Sequence, residues 1–222
     1  MRTVIVTGAR GGIGEVTARK FLELGDRVYG TDLAFDETPH DFIEVICDVT
    51  DPDAVSGLVE RAVSETGRID VLVNNAGVAI HNPIPKIRME DWERNISVNL
   101  TGTFVCTQAV FQHMCDRGAG HIINVSSVSG VRGHQNGGAY CASKFGVVGF
   151  TEVTDVEGKP FGVKASVVCP GPVDTRMRRE NHPDDILEHL TQPEDIAQAV
   201  VFLLEQPKEA HTLSMVVRTP LM

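Results

Sequence analysis

Tyr140 and Lys144 stand four residues apart in the run Tyr140-Cys141-Ala142-Ser143-Lys144. On a helix that spacing turns both side chains to one face. A free phenol titrates near pH ~10 and is a poor base at neutral pH. An ammonium group within a few ångströms favours the phenolate and lowers that value. Ser127 lies thirteen residues before Tyr140, just past the apolar run 121–125. A hydroxyl there can hydrogen-bond a substrate oxygen and hold it beside the phenol. The chemistry these three residues suit is proton exchange with an alcohol or carbonyl oxygen.

A second constellation sits at the N-terminus. The run Thr7-Gly8-Ala9-Arg10-Gly11-Gly12-Ile13-Gly14 follows a short apolar stretch and opens a helical pattern. Glycines suit a tight strand-to-helix turn and leave the backbone open to a pyrophosphate, which the helix N-terminus then attracts. Gly8, Arg10, Gly12, Ile13 and Gly14 are therefore expected to bind a dinucleotide. Asp32, eighteen residues after Gly14, closes the second apolar run. Its carboxylate can accept both hydroxyl protons of an adenosine ribose and repel the 2′-phosphate of NADP. Leu33 offers that phosphate no positive charge, and Arg10 reads as a solvated turn residue. NAD is the predicted cofactor, with NADP the second choice.

These residues together resemble the short-chain dehydrogenase/reductase family, over nearly the whole chain. Thr7 through Gly14 meet its T-G-x-x-x-G-x-G pattern, and Asn74-Asn75-Ala76-Gly77 its N-N-A-G motif. Asn99, in Ser97-Val98-Asn99-Leu100, matches its catalytic asparagine. With Ser127, Tyr140 and Lys144 it completes the family's tetrad. Asp48-Val49 matches the pair at the adenine amino group, and Pro170-Gly171-Pro172-Val173-Asp174-Thr175 resembles the segment that holds the nicotinamide amide. The resemblance implies cofactor contacts at Asp48, Val49, Asn75, Ala76, Gly77, Tyr140, Lys144, Pro170, Gly171, Val173 and Thr175. It also implies that Tyr140 exchanges the proton and that Lys144 lowers the tyrosine pKa and binds the nicotinamide ribose. Ser127 would orient the substrate oxygen, and Asn99 would anchor a relaying water.

The elements that must position these groups alternate along the chain. Residues 3–6, 27–30, 43–47, 71–73, 121–125, 164–168 and 215–218 read as strands, several of them near-continuous apolar runs as in parallel strands covered on both faces. Helical patterns occupy 12–24, 51–65, 90–115, 140–157 and 193–204, with Pro52 and Pro193 near two helix starts. Strand–helix alternation predicts an α/β fold of the Rossmann type: one doubly wound parallel sheet of about seven strands, helices on both faces. The 222 residues are expected to form a single cofactor-binding and catalytic domain.

Composition narrows the partners. A net charge of -10 argues against nucleic acid or anionic membrane. No apolar stretch approaches a membrane span, and the N-terminal run reads as a strand rather than a secretion signal. Five cysteines without a C-x-x-C pair suit reduced, structural thiols, and eight histidines show no metal-binding spacing. The chain is expected to be a cytoplasmic homo-oligomer acting on a small alcohol or carbonyl compound, without a metal.

Three features depart from the usual pattern. Only residues 176–192 separate Thr175 from the helix at Pro193, predicting one short, charged, mobile flap over an open cleft. The C-terminal run Ser214-Met215-Val216-Val217-Arg218 lacks a glycine-rich tail, which puts a tetramer in doubt. Thr154 and Asp155 replace the apolar residues common in relatives and are expected to alter packing in a dimer. Two rival functions are an NADP-dependent carbonyl reductase of the 3-oxoacyl type and a dinucleotide-binding sensor without turnover. Asp32 opposes the first, and the complete tetrad opposes the second. Loop residues His81, Ser129, His134, Gln135, Arg176, Met177 and Arg178 are candidates to line the substrate site.

Overall fold

Alternate residues of the first strand, β1 (Thr3–Thr7), face opposite sides of the sheet, and every one is buried. A computed structural model describes residues 1–36, 39–207 and 209–220. Val4 and Val6 pack with Phe21, Ile123, Ile196 and Val200 in one core layer. Ile5 packs with Tyr29, Leu58, Leu72, Val110 and Met114 in the other. Two covered faces explain the apolar runs, because neither side of a strand may be polar.

The remaining strands are β2 (Arg27–Asp32), β3 (Ile43–Ile46), β4 (Val71–Asn74), β5 (Gly120–Val125), β6 (Val163–Pro170) and β7 (Ser214–Val217). All pairings are parallel, in the order β3-β2-β1-β4-β5-β6-β7. The chain thus winds outward from β1 to β3, then returns to the centre and winds the other way. The reversal opens a crevice between the carboxyl ends of β1 and β4, where such sheets bind ligands. The predicted doubly wound seven-stranded sheet is the one observed.

The helices are α1 (Gly12–Glu23), α2 (Pro52–Thr66), α3 (Met89–Ile96), α4 (Gly102–Arg117), α5 (Gly138–Gly158), α6 (Arg176–Asn181) and α7 (Pro193–Leu204). Asp51 caps α2 through Asp53 and Ala54 N–H groups, and Pro52 occupies its first turn. The predicted continuous helix 90–115 is divided. A π-helical turn, Ser97–Thr101, separates α3 from α4. Gly102 meets Val49 there so closely that a Cβ would lie 2.7 Å from the valine Cγ2. The wider turn also swings Asn99 inward, and Thr103 Oγ1 donates to the Asn99 carbonyl at 2.8 Å.

Thr154 and Asp155 bond within the subunit. Thr154 is buried and donates to Phe150 O, while Asp155 accepts from Ala165 N on β6 and pairs with His211. Both polar groups find partners inside the subunit.

Candidate active site

The turn after β1 is shaped by what cannot fit there. Gly8 has φ +67, and a Cβ on it would meet Ala76 Cα at 2.9 Å. At Gly14 a Cβ would lie 2.0 Å from Gly8 O, so the start of α1 lies hard against the turn. Gly14 itself is buried behind the turn and is not among the cleft-lining residues. Gly11, the N-cap of α1, supplies no side chain, and a Cβ there would meet nothing within 4 Å. The first-turn N–H groups of α1 lack side-chain caps and face an open cradle, the arrangement a pyrophosphate needs.

Asn75 secures that cradle from β4. Its Nδ2 donates to Thr7 O at 3.0 Å and Gly8 O at 3.1 Å. Thr7 Oγ1 in turn accepts from Asn75 N and Ala76 N. The Asn75 side chain therefore ties the two central strands together, while Ala76 and Gly77 line the cleft beside it.

Asp32 stands at the rim of the cradle, its Oδ2 accepting from Arg10 N at 3.1 Å and its Oδ1 from Leu33 N at 2.8 Å. Those contacts fix the carboxylate and leave lone pairs free. The Arg10 guanidinium is turned to Asp36, 2.7 Å away, which holds the Asp36 carboxyl below the usual carboxylate range. Sequence reasoning missed Asp36, because a loop residue four positions past the strand carries no pattern. Asp48 Oδ1 accepts from Thr50 N and Oγ1, which lowers its pKa, and Val49 lies beside it on the cleft wall.

Tyr140 and Lys144 share one face of α5, as their spacing predicts. Lys144 Nζ lies 5.9 Å from the Tyr140 ring centroid and donates to Val125 O at 3.0 Å. Burial dominates both groups. It pushes the Tyr140 phenol up, against the pull of the Ser127 hydroxyl and the Arg178 charge, and lowers Lys144 to about 8. Ser127 sits past the end of β5, its Oγ accepting from Ser129 N at 3.1 Å.

Asn99 is brought to this cluster but does not line the cleft. Its Oδ1 accepts from Val78 N, and its Nδ2 donates to Val78 O and to Ser143 Oγ. Ser143 Oγ donates to Tyr140 O at 2.7 Å. The asparagine side chain therefore braces the α5 turn that carries the tyrosine.

The far wall runs from Pro170 and Gly171 through Val173 to Thr175, whose Oγ1 caps α6 by accepting from Arg178 N. Over it, residues 176–192 form α6, a 3-10 turn at Leu187–His189 and their connections. A bridge between Val173 and Thr191 and the buried Leu190 anchor its return. His81 packs edge-on to Tyr140 at 5.1 Å, with His134 at 5.5 Å and His182 at 5.9 Å. His182 was not among the sequence candidates, and Gln135 does not line the cleft. The whole cleft encloses about 1000 Å³, enough for a dinucleotide and a small molecule together.

The pattern of the family described as short chain dehydrogenase matches residues 2–186. The chain belongs to that family. It is an oxidoreductase acting on CH–OH or keto groups with NAD(P). A cis-4-hydroxycyclohexanecarboxylate dehydrogenase of Sinomonas cyclohexanicum is 36% identical over 91% of this chain and 88% of its own length. A 3-oxoacyl-[acyl-carrier-protein] reductase of Synechocystis sp. is 34% identical over 95% of this chain and 92% of its own. Among solved structures, ElxO with NADP bound superposes at a TM-score of 0.89 and 27% identity, covering 98% of this dehydrogenase and 97% of ElxO.

Proposed function

We propose that this chain is an NAD-dependent dehydrogenase that interconverts a secondary alcohol and its ketone within one domain spanning residues 1–222. The observation that carries the choice of NAD is the pair of carboxylates at the cradle rim. Asp32 is fixed for a ribose diol, and Asp36 holds the one arginine of the glycine turn. A 2′-phosphate entering there meets two negative charges and a cation already paired. Arg10, and the NADP bound to ElxO, favour the second reading, an NADP-dependent carbonyl reductase.

Bound between the α1 cradle and the Pro170–Thr175 wall, NAD supplies the hydride acceptor or donor. The chain's own groups handle the proton. Tyr140, held neutral by burial, gives its phenolic proton to a ketone oxygen in reduction and must shed it to accept one in oxidation. Oxidation therefore rises with pH. Ser127 orients the substrate oxygen, and Lys144 lies within reach of the phenol's field. Asn99 positions α5 rather than touching substrate. The presence of all four groups supports turnover over a binding-only sensor.

We place the dehydrogenase in the cytoplasm as a homo-oligomer. Five free cysteines, four of them buried, support a reducing compartment. Phe104, Phe145, Val153 and Val156 leave an exposed apolar face on α4 and α5 that a second copy would cover, with sedimenting mass as the check.

The deciding experiment measures kcat/KM with NAD and NADP across secondary alcohols, polyols, steroids and 3-oxoacyl thioesters. NAD is expected to lead by at least tenfold, about 1.4 kcal/mol. Asp32→Ala should narrow that gap by weakening NAD and admitting the phosphate. Equal efficiency with both cofactors in the unaltered protein defeats the NAD reading.

A further inference from the structure

The cleft is charged oppositely at its two ends. Among the described residues that line it, Asp32, Asp36 and Asp48 stand around the cradle rim. The remaining carboxylate, Glu180, is taken by Arg176 at 2.7 Å. Around Tyr140 stand the cations Lys144, 5.9 Å from its ring, and Arg178, with the rings of His81, His134 and His182 beside them. A chain of net charge -10 has thus gathered cations where the substrate must sit, with Arg178 bonded to Asp185 through Nε alone.

Arg178 is the best placed of these cations. It projects from α6 with its side chain only 25% exposed, and its Nε donates to Asp185 Oδ2 at 2.5 Å. That bond uses one of five N–H groups and fixes the plane of the fork, leaving the others to donate. Arg178 lies one turn before His182, whose N–H donates to its carbonyl. The His182 ring meets His81 at 5.9 Å and His81 meets Tyr140 at 5.1 Å, so the Arg178 charge reaches all three groups. His134 is committed on both sides, to Gln135 O and Ser129 Oγ. His81 is not, because its Nδ1 is buried without a partner. Among the described residues no group of three or more histidine, cysteine or acidic side chains is arranged to hold a metal ion. An anionic ligand is the chemistry left for a buried-side arginine beside an unsatisfied imidazole.

We infer that the substrate carries a carboxylate, received by the free N–H groups of Arg178 while its hydroxyl or keto carbon lies at Tyr140. The substrate class is a compact hydroxy or oxo acid. This rests on the reading of Tyr140 as the proton-transferring group.

The test compares 3-hydroxybutanoate, 4-hydroxypentanoate and 3-hydroxycyclohexanecarboxylate with their methyl esters, and with 2-hydroxypropyl phosphate. At least one acid should exceed its ester by about tenfold or more in kcat/KM, chiefly through KM. Arg178→Gln should erase the preference, and Arg178→Lys should keep part of it. A merely structural arginine in α6 would lower acid and ester together. Esters equal to or better than every acid overturn the proposal, as does a preference for the phosphate ester over all the acids. Should no probe turn over, the proton-transferring role of Tyr140 is judged on the wider panel of alcohols and thioesters. Calorimetry with cyclohexanecarboxylate and cyclohexanecarboxamide then decides the anion site. Tenfold tighter acid binding that Arg178→Gln abolishes supports it, and equal binding overturns it.

Discussion

The glycine turn after β1 and the segment 176–192 after β6 meet across one cleft and are held by different forces. In the turn, contacts are backbone-close: Asn75 Nδ2 bonds two carbonyls, and Gly14 leaves no room for a methyl group. In the segment, order comes mostly from charge, through Arg176–Glu180, Arg178–Asp185 and Arg179–Asp174. Packing at that density resists deformation, whereas exposed ion pairs contribute little and are screened by salt. On the proposed reading the cofactor rests on the stiff region, and the choice of substrate falls to the soft one. A site can thus vary in specificity without disturbing the cofactor.

The largest expected effect lies between the two regions. Tyr140→Phe removes one hydroxyl from a half-buried ring, so fold and NAD affinity should persist while kcat falls about 10²-fold or more. The rise of oxidation with pH should vanish with it. Retention of more than a few per cent of turnover would mean that another group moves the proton. Next is Gly14→Ala, which forces the α1 start away from Gly8 O. We expect weakened NAD binding and a stability loss of about 1–3 kcal/mol by overpacking, read in dinucleotide titrations and urea melts. An alanine variant with unaltered binding and midpoint would show that the turn is softer than its contacts imply. The smallest effect is dynamic. Amides in 176–189 should exchange hydrogen faster than those of β1, and 1 M NaCl should widen the difference by screening about all but the nearest charges. Exchange as slow as that of β1 would dismiss the picture of a mobile flap.

The sequence exposes the stiff region better than the soft one, for a physical reason. Strands buried on both faces must be mostly apolar, so β1, β4, β5 and β6 announce themselves, and a nucleotide turn needs glycine at fixed offsets. The cradle and the Tyr140–Lys144 face are legible for that reason. The π turn at Ser97–Thr101 leaves no trace, since its cause is the approach of Gly102 to Val49, a contact between distant positions. Asn99 could be named from its motif, but its bracing bond to Ser143 depends on that turn. Asp36 and His182 escaped because loop residues acquire a role only from what folds opposite them. Gly14 was recognised, yet its work is to pack behind the turn rather than to line it.

The strand order has a consequence for the chain as it is made. β1 is synthesised before β4, yet β4 is one of its two neighbours, with Val4 opposite Val71, 67 residues away in sequence. Until that partner emerges, β1 can pair only with β2, and its other edge stays open and apolar. Closing so long a loop is slow compared with forming any single helix, so the nascent chain passes through a stage with an unpaired strand. Nucleotide cannot assist earlier, because the crevice that holds it is created by the same closure. Cofactor binding therefore rewards only chains that have already joined the two halves of the sheet.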